Sequence, residues 1–232
     1  SNFGCSYFEN YEDLLPLVDA VSISVPTKFH LQVCEKVARA GVHILVEKPL
    51  AGNYNDAKAL SLLEKENDLV IAVGHIERHN EIVKEAKSQI KSGVWGDLNL
   101  ITARRFSPYP LRINDVGVLF DLAIHDVDVI SYLAGSNVES VYVSGGQSIN
   151  SDHEDFVIMI MNFCNGIKGV CETNWLSTSR LREIDFFGNV IHANLNYLDQ
   201  CINLNYKASH SEKESVLIKV EKKEPLVNEL ED

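Results

Sequence analysis

Short apolar runs alternate with stretches of helical periodicity between residues 19 and 92. The pattern predicts strands at residues 20–25, 42–46 and 69–73. It predicts a helix at 29–40 that ends at Gly41 and a second helix that begins after a cap at Asn53 or Asn55. A third helix is predicted at 81–91. Strands that alternate with helices in this way are typical of βαβ units with a parallel sheet.

The pattern of apolar and polar positions changes after residues 93–96. The second half predicts one strand at 98–106, a long helix at 118–133, and strands at 156–163, 167–175, 183–187, 190–195, 202–206 and 216–220. Asn165-Gly166 lies between two of these strands and suits a type I′ turn. We expect an α/β fold with an incomplete Rossmann-like parallel sheet in residues 1–95 and an α+β domain in residues 96–232, whose sheet is largely antiparallel with the long helix on one face.

The composition narrows the classes of partner. The 232 residues carry a net charge of −12 and a pI near 5.1, which argues against nucleic acid or an anionic membrane surface as the main partner. No apolar stretch approaches the roughly 18 to 20 residues of a membrane span, and the first residues lack the anatomy of a signal peptide. The five cysteines are odd in number and widely spread, so they indicate neither a disulfide framework nor a zinc site. We expect a cytoplasmic protein.

The second predicted strand runs directly into Glu47-Lys48-Pro49. Open α/β sheets carry their chemistry at the carboxyl ends of their strands. Ionisable groups that follow an apolar run also cost desolvation energy unless something pairs with them or uses them. A strand that merely ends in charged residues is an equally good interpretation of this tripeptide by itself.

The long predicted helix has a narrow polar stripe. At 100° per residue, Asp121, His125, Asp128 and Tyr132 fall within about 60° of one another, whereas nearly all other positions are apolar. An aspartate one turn before a histidine suits general acid/base chemistry, because the carboxylate fixes the imidazole tautomer. A structural pair between Asp121 and His125 is the alternative. Lys48 would complete a proton-handling trio if the second domain packs over the carboxyl edge of the first sheet.

Four ordered motifs resemble those of the Gfo/Idh/MocA oxidoreductases, which act on sugars and cyclitols with NAD(P). They are Ser-Val-Pro-Thr-Lys-Phe-His at 24–30, Glu-Lys-Pro at 47–49, Gly-His-Ile-Glu-Arg-His-Asn at 74–80, and Asp-Leu-Ala-Ile-His-Asp-Val-Asp at 121–128. The resemblance covers essentially the whole chain. Within the family, residues 103–117 look most like the UDP-N-acetylglucosamine 3-dehydrogenase group.

The resemblance implies hydride transfer from a sugar ring carbon to the nicotinamide of NAD or NADP. His125 would take the hydroxyl proton, Lys48 would orient that hydroxyl and the cofactor, and Asp121 would support His125. The residues at family positions that border the dinucleotide are Pro26, Thr27, His30, Glu47, Lys48 and Arg78. Each has a structural alternative, such as starting or packing on a helix.

The predicted substrate residues lie in the second domain, which the resemblance also assigns to oligomerisation. Arg104, Arg105 and Arg112 are candidates for a nucleotide-sugar diphosphate, since guanidinium groups bind phosphate bidentately. A solvated strand edge is the alternative for each of them. Trp175 could stack on a sugar or uracil, or pack in the core. The remaining predicted substrate residues are Tyr109, Asp128 and Asn174.

The chain departs from the family pattern at both ends. None of its 13 glycines forms the G-x-G-x-x-G turn that carries a pyrophosphate, and the last residues resemble only the opening of the family's closing helix. We expect that the N-terminal Gly-rich βαβ unit and the C-terminal helix are lacking. A fragment of a longer enzyme is the favoured explanation. The others are a remnant that uses a partner's surface and a degenerate relative.

Two functions of different class follow. The first is an NAD(P)-dependent dehydrogenase of a UDP-amino sugar, with an inositol or simple-sugar dehydrogenase as a variant. The second is a non-catalytic regulatory relative that binds a sugar or nucleotide. For either function the resemblance implies a homo-oligomer, a dimer or a tetramer.

Overall fold

The computed structural model describes residues 4–110, 116–149, 152–207 and 215–232. The chain divides into two compact units, Ser1–His75 and Ile76–Asp232. This division falls before the predicted boundary at 95/96. The reason is the helix at Glu81–Ser92, whose Ile82, Val83 and Ala86 are fully buried in the core of the second unit.

The first unit contains three strands and two α-helices among its described residues. They are β1 (Ala20–Ile23), α1 (His30–Arg39), β2 (His43–Glu47), α2 (Tyr54–Asn67) and β3 (Ile71–Gly74). The strands form a parallel sheet in the order β1-β2-β3, as the alternating pattern predicts. Asn53 caps α2, because its side-chain oxygen accepts a hydrogen bond from the amide of Asp56 at 3.0 Å.

The described part of the second unit holds eight strands and three α-helices. They are α3 (Glu81–Ser92), β4 (Leu98–Pro108), α4 (Ile124–Ala134), β5 (Val138–Gly146), β6 (Phe156–Phe163), β7 (Lys168–Asn174), β8 (Leu176–Gly188), β9 (Ile191–Asn196), β10 (Cys201–Tyr206), β11 (Ser215–Lys219) and α5 (Pro225–Glu231). The strand order is β11-β10-β9-β8-β4-β7-β6-β5. All neighbours are antiparallel except β4 and β7.

The turn between β6 and β7 differs from the predicted type I′ geometry. Only Gly166 in this turn has a positive φ, +89°, and its amide donates to the carbonyl of Phe163 at 2.9 Å. This is a type I turn over Cys164 and Asn165, followed by a left-handed glycine. The Asn165 side chain instead donates to the carbonyl of Ala134 and so ties the turn to the end of α4.

The core of the second unit lies between its large sheet and its helices. Val129, Ile130 and Leu133 of α4 are buried in the same cluster as Ile101 of β4 and Phe186 of β8. The predicted position of the long helix on one face of this sheet is confirmed. Across the described ranges, no helix is both long and apolar enough to cross a lipid bilayer.

Candidate active site

The predicted long helix begins with a π-helical turn. Leu119–Ala123 forms this turn, and α4 follows from Ile124. Its start is held by Glu154, whose carbonyl accepts from the amide of Val118 and whose carboxylate accepts from the amide of Leu119, both at 3.0 Å. The wider turn shifts the angular phase, so Asp121 is not on the regular α-helical stripe that the sequence predicts. π-Turns often occur at functional sites.

Asp121 lines a cleft of about 370 Å³ in the second unit. Trp175 and Tyr109 contribute to its wall, as do Arg180 and Arg182 of β8. His125 follows Asp121 by four residues and is half-buried. The helix therefore presents a carboxylate at a cleft that combines aromatic and cationic side chains.

Trp175 is only 1% exposed and packs edge-on against Tyr109, with the ring centroids 5.6 Å apart. Such burial leaves little of the indole for stacking on a ligand, so Trp175 supports the wall of the cleft and Tyr109 is the more accessible ring. Asn174 ends β7, and its side-chain oxygen accepts from the amide of Leu176 at 3.1 Å. That bond fixes the short link into β8.

Arg105, a predicted diphosphate ligand, also lines the cleft. It is 2% exposed and holds Asp126 through Nε and Nη2, while its Nη1 donates to Glu77 at 2.9 Å. Burial would lower the pKa of Arg105, but the charges of Asp126 and Glu77 outweigh it and hold that pKa above its usual range. Because its guanidinium is committed to two carboxylates, we assign Arg105 to the packing of the unit rather than to a diphosphate.

Arg104, another predicted diphosphate ligand, is held by two carboxylates. Arg104 points to the other face of the sheet from Arg105, where its Nη2 lies 3.0 Å from both Glu183 and Asp185. These two partners neutralise it. Arg112 lies outside the described residues.

Arg78 and Asp128 bind each other. Arg78 Nε donates to Asp128 at 2.8 Å, and a second bond from Nη2 makes the pair bidentate. The hydrogen bond that Arg78 donates to Asp128 raises the pKa of Arg78. The guanidinium also lies 5.3 Å from the ring centroid of Tyr132. Asp128 and Tyr132 of the predicted polar stripe thus both interact with Arg78. A ligand that binds Arg78 or Asp128 would have to share these side chains with the ion pair.

The predicted cofactor residues of the first unit gather at the carboxyl ends of its strands. Glu47 ends β2 and accepts a hydrogen bond from the amide of Lys48 at 3.2 Å. Lys48 and Thr27 are partly exposed, and Pro26 is exposed. The Lys48-Pro49 peptide bond is cis. An open edge of this kind is where parallel sheets bind dinucleotides, so these residues fit such a group.

His30 is buried, with 1% of its surface exposed. Its Nε2 lies 2.9 Å from the carbonyl of Val25, and its Nδ1 lies 3.2 Å from the carbonyl of Leu50. Both ring nitrogens therefore face the protein's own backbone. His30 joins the segment after β1 to the segment after Lys48, and it would position those segments rather than touch a cofactor through its nitrogens.

Sequence reasoning missed Glu77, Asp126, Arg180 and Arg182. A signal existed for Asp126, because it is the one aspartate of the 121–128 motif that lies off the predicted stripe, on the apolar face of the helix. A buried carboxylate there requires a cationic partner. For Arg180 and Arg182 the signal was their alternate spacing in a strand, which puts both on one face.

The fold and the cleft define a two-unit protein with a Rossmann-type parallel sheet and a mixed α+β unit. Two family models match it: residues 1–75 match an oxidoreductase family with an NAD-binding Rossmann fold, and residues 83–190 match the GFO/IDH/MocA C-terminal domain. The chain belongs to the Gfo/Idh/MocA family.

The similar proteins include several sugar and cyclitol dehydrogenases. UDP-N-acetylglucosamine 3-dehydrogenase of Acidithiobacillus ferrooxidans is 29% identical over 88% of this chain and 64% of its own length. A solved structure of that enzyme has a TM-score of 0.89 and 28% identity, covering 100% of this chain and 73% of that one. Myo-inositol 2-dehydrogenase of Thermotoga maritima is 29% identical over 68% of this chain and 50% of its own length. The chain thus spans about half to two thirds of these two curated relatives.

Proposed function

We propose that the protein is an NAD(P)-dependent dehydrogenase that oxidises a ring carbinol of a UDP-amino sugar. The observation that carries the proposal is the Asp121 carboxylate at the cleft, one turn before the half-buried His125. The similarity to a UDP-N-acetylglucosamine 3-dehydrogenase over 88% of the chain supports a nucleotide sugar more than the shorter match to an inositol dehydrogenase does.

The proposed reaction transfers one proton and one hydride from the substrate. His125 accepts the hydroxyl proton while the carbinol C–H bond breaks, so that a ketone forms. When bound, the nicotinamide supplies the acceptor for the hydride. The Lys48 ammonium stabilises the charge that develops on the oxygen, and Asp121 holds the imidazole in the tautomer that can accept the proton.

Pro26, Thr27, Glu47 and Lys48 would hold the dinucleotide at the carboxyl edge of the first sheet. This assignment is supported by their exposure at the strand ends and by the family match over residues 1–75. The proposal requires that Lys48 of one unit and His125 of the other serve the same substrate. Single and double substitutions of these two residues test that requirement, because residues that act as a unit show non-additive losses.

Self-association of the second unit accompanies the proposal. Tyr142 of β5 lies opposite Ile160 of β6, and both are exposed, at 67% and 41%, together with Ile158 at 46%. Contiguous apolar side chains on an open sheet face favour association. Light scattering should give a dimer or a larger oligomer, and Ile160→Glu should shift it to the monomer. A natural protein that stays monomeric would contradict this part.

The absorbance of the reduced nicotinamide tests the reaction. The protein is mixed with NAD or NADP and a panel that contains UDP-N-acetylglucosamine, the free sugar and myo-inositol. We expect reduction with the UDP-sugar. Reduction with myo-inositol alone would replace the substrate assignment, and binding of UDP-N-acetylglucosamine without any reduction would favour the regulatory alternative.

A further inference from the structure

Arg180 and Arg182 of β8 are cationic residues of the cleft that the proposed reaction does not use. They are two residues apart in a strand, so they share one face of the sheet, with about 6.6 Å between their positions. Both line the cleft. Within the described ranges, neither guanidinium forms an ion pair with a carboxylate, whereas Arg78, Arg104 and Arg105 each do.

The strand register places Arg182 directly opposite Arg105 of β4. Like charges at opposed positions of paired strands are destabilising. The adjacent position in the same ladder has the opposite arrangement, since Arg104 faces Glu183 and bonds to it at 3.0 Å. Opposite charges therefore lie side by side on one face of these two strands, whereas two arginines lie side by side on the other face.

The carboxylates that bind Arg105 reduce this repulsion, but they pair with Arg105 and not with Arg182. Asp126 and Glu77 bind Arg105 directly, and neither bonds to Arg182. Burial and then the charge of Arg105 lower the pKa of Arg182, and Glu77 offsets part of that effect. Two guanidinium groups at one cleft, with no ion pair to a carboxylate in the described part of the chain, are also unusual for a protein with a net charge of −12. An anionic ligand would relieve the repulsion.

We propose that Arg180 and Arg182 bind the diphosphate of the nucleotide sugar and make the enzyme specific for a nucleotide-linked sugar over a free one. This inference rests on the proposed function. Guanidinium groups bind phosphate oxygens bidentately, and two of them side by side match a group with several negative charges. Asp121, at the same cleft, repels the diphosphate from its own end and leaves that end to the sugar.

Calorimetric titration with UDP, and with uridine as the uncharged probe, tests the inference on the natural protein and on Arg180→Gln and Arg182→Gln. Each variant loses a charge-assisted contact, so we expect UDP to bind about ten- to a hundredfold more weakly while uridine binding is unchanged. Arg39→Gln is the matched control, because Arg39 is exposed on α1 and pairs with Glu35 of its own helix. It should bind UDP as the natural protein does.

Arg180 is exposed, so Arg180→Gln leaves the core intact. A loss of UDP affinity in this variant therefore does not come from a loss of folding. UDP affinity that is unchanged in both variants would overturn the inference. UDP binding requires neither cofactor nor His125, so the two proposals fail separately. A protein that binds UDP through these arginines and never reduces NAD(P) contradicts the reaction. A protein that oxidises the UDP-sugar equally well in both arginine variants contradicts the arginine site.

Discussion

Arg105 of β4 donates three hydrogen bonds to Asp126, the residue that follows His125. The side chains of the pair are each 3% exposed. The ion pair joins the large sheet to the first turn of α4, so it helps to fix the orientation of the preceding residue, His125. Arg105 also lines the cleft. The geometry of the candidate site thus depends on the core of the second unit.

Asp126→Asn should lower the free energy of unfolding by about 3 kcal/mol, because removal of one partner leaves a buried guanidinium with less compensation. Urea denaturation measures this. Glu183→Gln breaks the more exposed pair with Arg104 and should cost less than about 1 kcal/mol. Equal losses in the two variants would show that burial does not set the strength of the Arg105–Asp126 pair.

Gly117→Ala should destabilise the start of the π-turn. A Cβ at Gly117 would lie 2.2 Å from the Glu154 carboxylate and displace it from the Leu119 amide. Loss of such a cap costs about 0.5–2 kcal/mol in unfolding free energy. Because the damage acts through Glu154, the same substitution in a Glu154→Ala background should cost much less. Additive losses would contradict this mechanism.

His30→Ala should reduce the free energy of unfolding by about 1–3 kcal/mol, since it removes the imidazole N–H that donates to a partly buried backbone carbonyl, of Val25 or of Leu50. His43→Ala is the control. His43 is exposed and accepts a single bond, from the amide of Val70 at 3.1 Å, so its loss should be smaller. A reversed order would mean that His30 does not join the two segments.

The buried thiols should be inert in the native protein. Burial raises the pKa of Cys34 to about 11 and that of Cys171 to about 12, and the thiolate is the reactive form. A thiol reagent in mildly alkaline buffer should label the exposed Cys5 and Cys164, and should reach Cys34 and Cys171 only after denaturation. Peptide mapping that finds Cys171 labelled early would contradict the packing of β7.

Local patterns predicted most of the elements. Period-two and three-to-four spacing gave the strands and helices of the first unit, and Asn53 was one of two candidate caps because its side chain acts on a residue three positions away. The π-turn was not predictable, since the hydrogen bonds at its start come from Glu154, which is distant in the sequence. The edge strand β5 was also missed, because eight of its nine residues are exposed and it lacks an apolar rhythm.

Only those parts of the candidate site whose residues lie close together in the sequence were predictable. Asp121 and His125 share one helix, and the Glu47-Lys48-Pro49 tip is contiguous. The roles of Arg104 and Arg105 depend on which face of β4 each occupies and on partners far away in sequence, such as Asp126 and Asp185. Adjacent arginines look alike in a sequence, but the pleat of the strand sends them to opposite faces.

The turnover of His125→Gln tests the central claim most directly. With the UDP-sugar and NAD(P) saturating, loss of the general base should lower kcat by about 10²–10⁴-fold while UDP affinity stays unchanged. The control is His192→Gln, the same substitution on a side chain that stacks on Phe187. It should retain the natural rate. A His125→Gln protein that turns over as fast as the His192→Gln protein would contradict the claim that His125 takes the proton.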